Sequence, residues 1–536
     1  MKKYLIPALA VILLASMILS SCGEPEPTTT QPTTAPTSTP TTTPTTGPVY
    51  GGKFTMVRNT GITEVGAPMD LQGGYGGVTY PLWCPVVETL YIVDAADRIV
   101  PVLAESVEVA SDGLSVVFKL RQGVKFHDGT DFNAEAVKIN LETVIAAEVP
   151  GSTPLKSIES FDIIDDHTLK INLKNFDATF LMSLAQSGVG VMISPAALTK
   201  ETTPENAGKD HLVGTGPFLF DSWALDQYII MKKNPNYWQE GRPYLDEIEI
   251  RNITDYTISI MAFKAGEVDM VESIDPAQYN ELKEQGYTVG IPEGLAFVFS
   301  FRTANADPAS PFSDKKVREA LWYSVDRESL VFGLGKGTYN VANQLAAPQQ
   351  GWYIEDYPAR PYDPDKAMEL LADAGFEGGF KTILHGDIRG RQDDLVALQT
   401  YFGAIGIECE LDIADVARSS TFGTEGFDGI FQSGFPNWSS FSSWMNVWLS
   451  PTATYPTMKF PDNWTEDWQA VKTEPDYDKR MAQMKALLKV VYDEALVIPW
   501  MWDAPRYCIN SKVHDLMWDA VDINGYFDPV NVWKEK

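Results

Sequence analysis

"LAESVEVASDGLSVVFKLRQGVKFHDGTDFNAEAV", residues 103–137, is the stretch from which the rest of the chain is read. Val107 and Val109 alternate with polar residues before Asp112-Gly113, a strong turn pair, and Val116, Phe118 and Leu120 alternate after it. That pattern predicts a β-hairpin. The second half looks chemical, because His127, Asp128, Asp131 and Glu135 crowd together. A metal or catalytic cluster would need these side chains to converge from a shaped pocket. Local structure explains them better. Asp128-Gly129 makes a turn, Asn133 caps a helix beginning at Ala134, and Glu135 in the first turn suits the helix dipole. Phe132 and Val137 take the flanking positions of a hydrophobic staple. Only His127 is left without a local role, so the stretch identifies a scaffold rather than a reaction.

The N-terminal end indicates the compartment. Lys2 and Lys3 precede an apolar run from Tyr4 to Leu19 that is too short and wrongly flanked for a stable membrane span. It ends in "LSSC", Leu19 to Cys22, which resembles the lipobox of bacterial lipoproteins. Residues 1–21 are therefore expected to be a cleaved signal peptide and Cys22 the lipidated residue, with palmitate among its acyl groups. Residues 22–48 continue as a run dominated by threonine and proline. Such a segment cannot bury enough surface to offset its ordering entropy and is expected to be a disordered tether. In polyproline geometry, at about 3.1 Å per residue, it spans at most roughly 80 Å. Its threonines are candidates for O-linked sugar.

The body from Val49 to Lys536 is too long for one core and predicts two or three domains. The chain carries 42 Lys and Arg against 72 Asp and Glu, a formal charge of -30, which becomes -32 once Lys2 and Lys3 leave with the signal. A chain so acidic repels phosphate backbones and anionic headgroups, so nucleic acid is not an expected partner. Lipidation of Cys22 leaves Cys84, Cys409 and Cys508, enough for one disulfide with the pairing open. The five histidines are dispersed and no cysteine–histidine spacing of the zinc type occurs, so neither a resident metal nor a cofactor is expected. A GxSxG elbow, an HExxH motif, a phosphate-binding glycine loop and a cysteine–histidine nucleophile pattern are all missing. An enzyme is not expected, and a secreted hydrolase is the catalytic alternative. Short alternating strands mix with amphipathic helices throughout, which argues for α/β layers. "SDKKVREALWYSVDRESLV" (313–331) predicts a helix capped by Ser313, with Val317, Ala320, Leu321, Ser324 and Val325 on one face. "DPDKAMELLADAGF" (363–376) predicts another, with Asp363 as cap, Pro364 at the first position and Gly375 as the stop.

Residues 103–137 also resemble the signature of the family 5 extracellular solute-binding proteins, the oligopeptide-, dipeptide- and nickel-binding receptors of bacterial ABC importers. The resemblance continues in the family's order through "GTGPFLF" (214–220), "KKNPNYW" (232–238), "YLDEIEI" (244–250), "SPFSDKKVREALWYSVDRE" (310–328) and "YDPDKAMELLADAGF" (362–376). It implies a bilobal periplasmic-binding-protein-like α/β fold of type II (cluster C), with mixed sheets, flanking helices and a ligand cleft between the lobes. Domain I would take residues 49–82, 211–292 and 499–536, domain II 83–210, and domain III 293–498. The lobe crossings are expected near Pro292-Glu293 and Val497 to Trp500. The implied function is capture of a peptide or peptide-like solute and its delivery to a permease by a monomer held at the outer face of the membrane, or in the periplasm, through its lipid alone. A nickel or metal-chelate receptor is the alternative within the family.

The family's pocket usually includes the segment found here as "FDGIFQSGFPNWSSFSSWMNVW" (427–448). Peptide-binding relatives commonly place there an aspartate that pairs with a free amine. This chain has Ser433, Phe435, Asn437 and Trp438 instead. An amine entering a dry cleft without a counter-charge suffers a large desolvation penalty, which disfavours ordinary peptides with free N-termini. Relatives often read Phe-Asn-Thr where this chain has Phe301-Arg302-Thr303. Arg302 offers a fork for a carboxylate or phosphate, a surface arginine being the plain alternative. Arg389 and Arg391 are further candidates, with Asp393 and Asp394 as their possible partners. Of the 14 tryptophans, Trp444 and Trp448 are four apart and fit a core helix face, while Trp223 and Trp238 sit in family-typical structural positions. Trp438 is the first aromatic candidate for stacking on ligand and Trp502 the next. Tyr75, among glycines in "QGGYGGVTY" (72–80), is the candidate from the first lobe.

Overall fold

Alternation and turn chemistry build three main sheets in the computed structural model. It describes residues 47–59, 62, 82, 84–94, 98–148, 152–185, 189–200, 210–291, 297–387, 392–436, 449, 456–516 and 529–536. Pro48–Lys536 forms one unit. The opening hairpin is present as Ala104–Val109 and Ser115–Leu120, joined through Gly113 at φ +70°, a left-handed angle that glycine adopts without cost. Val116, Phe118 and Leu120 are buried. With Thr168–Leu173 and Ile158–Asp165 they complete a four-stranded antiparallel sheet. The helix Ala134–Ala147 lies over its core, and the Asn133 side chain accepts from the Ala136 amide at 2.9 Å. Phe132 and Val137, the staple positions, are both buried in that core.

The second sheet has seven strands, in the order Thr288–Gly290, Tyr507–Ile509, Met270–Val271, Lys53–Arg58, Glu247–Asn252, Tyr228–Lys233 and Phe218–Ala224. Lys53–Arg58 runs parallel to both of its neighbours, and the outer pairings are antiparallel. The third sheet has six strands, in the order Asn340–Val341, Val497–Asp503, Phe297–Thr303, Ile430–Pro436, Phe380–Asp387 and Ile407–Ala414. Helices cover both faces of the six-stranded sheet and one face of the seven-stranded sheet, whose other face packs against connecting segments and the short helix Pro195–Leu198, so each sheet has two apolar layers. The expected α/β architecture with mixed sheets is what the chain adopts.

The chain passes twice between the six- and seven-stranded sheets, and the described ends of the two passages are neighbours. Gly290 is paired with Tyr507 on one side of the crossing, and Phe297 with Asp503 on the other. A Cβ on Gly290 would collide with the Tyr507 ring. The second passage lies later than the sequence placed it. Val497–Asp503 stays in the six-stranded sheet for its whole length, because each residue from Val497 to Ile498 and from Pro499 to Asp503, apart from the bulged Trp500, finds a partner in Phe297–Thr303.

Two helix readings need correction. The cap over 313–331 is Asp314, whose side chain accepts from the Lys316 amide at 2.8 Å, while Ser313 ends a short 3-10 turn, Pro311–Ser313. The single expected helix is two, Lys315–Tyr323 and Arg327–Gly335, because Asp326 caps the second through the Ser329 amide. Val317, Ala320, Leu321, Ser324 and Val325 are nonetheless all buried. The helix Pro364–Asp373 carries Asp363 as its cap, and Gly375 follows it at φ +88°.

Candidate functional site

His127 finds its role far from its own stretch. Its Nε2 contacts the Gly216 carbonyl at 3.0 Å and its backbone N–H donates to the Gly214 carbonyl at 2.8 Å. Burial pushes its imidazole down to about 4, so it is neutral and donates from Nε2. Asp128 binds Ser194 and Thr130, and Asp131 pairs with Lys125. Among the described residues no group of three His, Cys, Asp or Glu side chains is arranged to hold a metal ion. Cys84, Cys409 and Cys508 are all buried, the last two as free thiols.

The glycines of "GTGPF" belong to the same junction. A Cβ on Gly214 would collide with the Val86 carbonyl, and one on Gly216 with that of Pro85. This close approach brings the Thr215 hydroxyl to Glu88, where it donates at 2.7 Å. The Tyr237 hydroxyl donates to the same carboxylate at 2.7 Å and the Trp238 indole at 3.0 Å. Arg121 lies over the Trp238 ring, 4.9 Å from its centre. Burial pushes the Glu88 carboxyl up to about 7 against the pull of these donors. Glu88 thus ties together the "GTGPF" and "NPNYW" motifs. One glutamate among 72 acids gives no such signal in the sequence.

The face that carries most of the expected ligand-binding residues lies on the six-stranded sheet. Residues directly opposite in an antiparallel ladder point to the same side. Val298 pairs with Trp502 and stands opposite Phe435, Ser300 pairs with Ser433, and Arg302 pairs with Phe431. The structure therefore brings Arg302, Ser433, Trp502 and the Phe435 position together from three distant segments. Arg302 is 1% exposed, with its guanidinium 5.9 Å from the Phe431 ring centre, so it is not a surface arginine. Trp502 packs in the apolar layer that contains Val298, Phe431 and Trp464. The Ser300 and Ser433 hydroxyls face each other across the ladder, and neither has a hydrogen-bond partner among the described residues. A buried hydroxyl without a partner costs about 1–3 kcal/mol, which a ligand or water group between the two would recover. Asp394 is fully buried. Tyr75, Cys22, Arg389, Arg391, Asn437, Trp438, Trp444 and Trp448 lie outside the described residues, as does the Phe435 side chain.

Side-chain contacts among the described residues link the sheets. Arg506, in the second passage, donates to Asp503 Oδ1 at 2.5 Å and to the Ile274 carbonyl at 2.9 Å, and its guanidinium is 5.0 Å from the Tyr339 ring centre. Lys472, on the helix Trp464–Thr473 of the six-stranded sheet's layer, pairs at 3.1 Å with Asp177, which precedes the helix Ala178–Ala185 of the four-stranded sheet's core.

Residues 98–458 match the family model described as bacterial extracellular solute-binding proteins, family 5 Middle. The chain is 32% identical over 433 residues to a glutathione-binding protein, GsiB, of Escherichia coli O1:K1, an alignment covering 77% of this chain and 81% of that protein. In structure it is similar to NikA from Brucella suis in complex with Fe(III)-EDTA, with a TM-score of 0.76 and 21% identity, covering 89% of this chain and 100% of that one. It is also similar to the periplasmic binding protein DppA of Helicobacter pylori in complex with the peptide STSA, with a TM-score of 0.71 and 22% identity over 91% of this chain and 99% of that one.

Proposed function

The chain belongs to the family 5 bacterial extracellular solute-binding proteins, and on that premise we propose that it captures a peptide or peptide-like solute between two lobes that close on it. The lobes correspond to domains I and II together and to domain III, with the second crossing moved to Asp503–Tyr507. The observation that carries this reading is the pair of adjacent passages, Gly290 to Phe297 and Asp503 to Tyr507. Two short connections whose ends lie side by side between separately packed sheets form a hinge, and a ligand that touches both sheets shifts its equilibrium by its differential affinity for the closed state. The Lys472–Asp177 pair belongs to that closed state.

In this reading Ser433, Phe435, Trp438 and Trp502 line the second lobe's wall, Arg302 contributes charge behind it, and Tyr75 closes from the first lobe. The solute leaves unchanged, so the protein is a receptor and not an enzyme. Cys22 carries the lipid, the threonine–proline segment is the tether, and the closed monomer is what an ABC permease recognises. The tether raises the receptor's effective concentration at that permease.

Native mass spectrometry tests the proposal. The full chain, incubated with a tryptic digest of casein and with glutathione, is expected to retain a one-to-one noncovalent ligand whose mass is unchanged on release. Trp438→Ala is expected to weaken the retained ligand's binding by about tenfold, roughly one lost stacking contact. Retention of nothing from these mixtures rejects the peptide reading, and retention of a metal chelate replaces it. A changed ligand mass rejects the receptor.

A further inference from the structure

The strand Lys53–Arg58 sits between two parallel neighbours, Glu247–Asn252 and Met270–Val271. The chain goes from the first neighbour through the helix Tyr256–Lys264 to the second, on the other side of the central strand. In open α/β sheets the carboxyl ends of parallel strands are the general place for a ligand. Asn59 is the first residue beyond the carboxyl end of the central strand. Both Oδ1 and Nδ2 of its carboxamide are buried, and neither has a hydrogen-bond partner among the described residues.

The rest of this strand end is also polar. Arg58 Nε donates to Glu272 Oε1 at 2.7 Å, with both side chains 2% exposed, while Glu272 Oε2 has no partner among the described residues. Burial pushes the Glu272 carboxyl up, and the Arg58 charge opposes that shift. Ser273, next in the chain, holds φ at +60°, a strained angle for a residue with a Cβ and one that collects at functional sites. An unpaired buried amide destabilises the empty protein, a cost that a partner in another state would recover. A side-chain carboxamide presents one acceptor beside one donor group. Its two-point complement is an N–H and a C=O on the same edge, which one residue of an extended peptide presents with its own N–H and C=O.

We propose that Asn59 is a peptide-reading subsite, through which the seven-stranded sheet pairs with the N–H and C=O of one residue of the bound solute. The inference deepens the peptide-capture reading and rests on it for the solute, but not for the chemistry of Asn59 itself. It assigns the first lobe a recognition residue outside the aromatic and arginine candidates.

The test uses the full chain selectively labelled with 15N-asparagine, and N-acetylglycine N-methylamide, which when extended presents the N–H and C=O of one residue on the same edge, as the probe. The Asn59 side-chain resonances, assigned by their loss in Asn59→Leu, are expected to move saturably. Methyl acetate, which has the carbonyl but no N–H, is expected to move them far less. Asn59→Leu is expected to melt at a higher temperature than the parent without ligand, because it removes an unpaired amide, and to bind the retained casein peptide about tenfold or more weakly. Asn59→Asp, which keeps the shape and loses the donor, is expected to weaken binding similarly. Unmoved Asn59 resonances, or an equal response to the ester, overturn the inference whether or not any peptide is retained. A saturable, amide-selective response with no peptide retained upholds it and removes only the peptide-capture reading.

Discussion

Glu88→Ala is expected to lower the stability of the body by roughly 2–4 kcal/mol, the cost of leaving buried donors without their acceptor. Three groups lose a partner at once: the hydroxyls of Thr215 and Tyr237 and the indole of Trp238. They come from two separate segments, "GTGPF" and "NPNYW", so the loss loosens the junction between the four- and seven-stranded sheets rather than one side chain. Chemical denaturation followed by tryptophan fluorescence measures it. Glu88→Gln separates charge from connectivity, since its amide oxygen still accepts from one hydroxyl while its NH2 can donate to the oxygen of the other. The parent also carries a pH signature. The Glu88 carboxyl is held at about 7 in the folded chain against an ordinary value of 4.5. Between those values the folded state keeps a proton that the unfolded chain has shed, so this group's contribution to stability falls as pH rises from about 4.5 to about 7 and is flat above. Glu88→Gln is expected to remove that slope. A parent and variant with the same pH dependence, or a Glu88→Ala protein as stable as the parent, would show that Glu88 is not the tie described here.

Arg506→Met is expected to cost roughly 2–4 kcal/mol and to weaken ligand binding as well. The guanidinium lies in the second passage, 8% exposed as a side chain, and holds Asp503 of one sheet and the Ile274 carbonyl of the other. Methionine keeps the length and apolar stem but makes neither contact, leaving the Asp503 carboxylate without its guanidinium. The hinge then samples more arrangements, and apparent affinity drops by the fraction of chains still able to close. A titration of the retained ligand together with a denaturant series measures both effects. Loss of stability with unchanged affinity would make Arg506 a fold residue only. No change in either would remove it from the hinge.

Local signals in the sequence carried most of the local structure. Asn133 and Asp363 cap their helices because their side-chain oxygens reach amides three residues on, a contact that sequence spacing alone specifies. The shift of the third cap from Ser313 to Asp314 separates two adjacent cap-competent residues, which a 3-10 turn beginning at Pro311 decides. The break at Asp326 was present in the same residue type but hidden by the continuous apolar face from Val317 to Val325.

The site was legible only in part, for a physical reason. Ser433 and Arg302 could be nominated from their segments, but Ser300 acquires meaning only when strand pairing sets it against Ser433, across more than a hundred residues of chain. Asn59 gives no signal at all before its amide is found without a partner. Arg506 looked like any arginine in an acidic chain until its contacts spanned two sheets. Register and long-range approach decide these roles, and neither is encoded in a local pattern.

The central claim is closure of two lobes around a solute. It is tested most directly by the distance between spin labels on Glu135→Cys and Lys381→Cys, exposed positions on the four- and six-stranded sheets' sides. Double electron–electron resonance on the full chain, before and after addition of the casein digest, is expected to show a broad distribution collapsing to a shorter, narrower one. A distribution that stays the same while ligand is demonstrably bound would contradict the account.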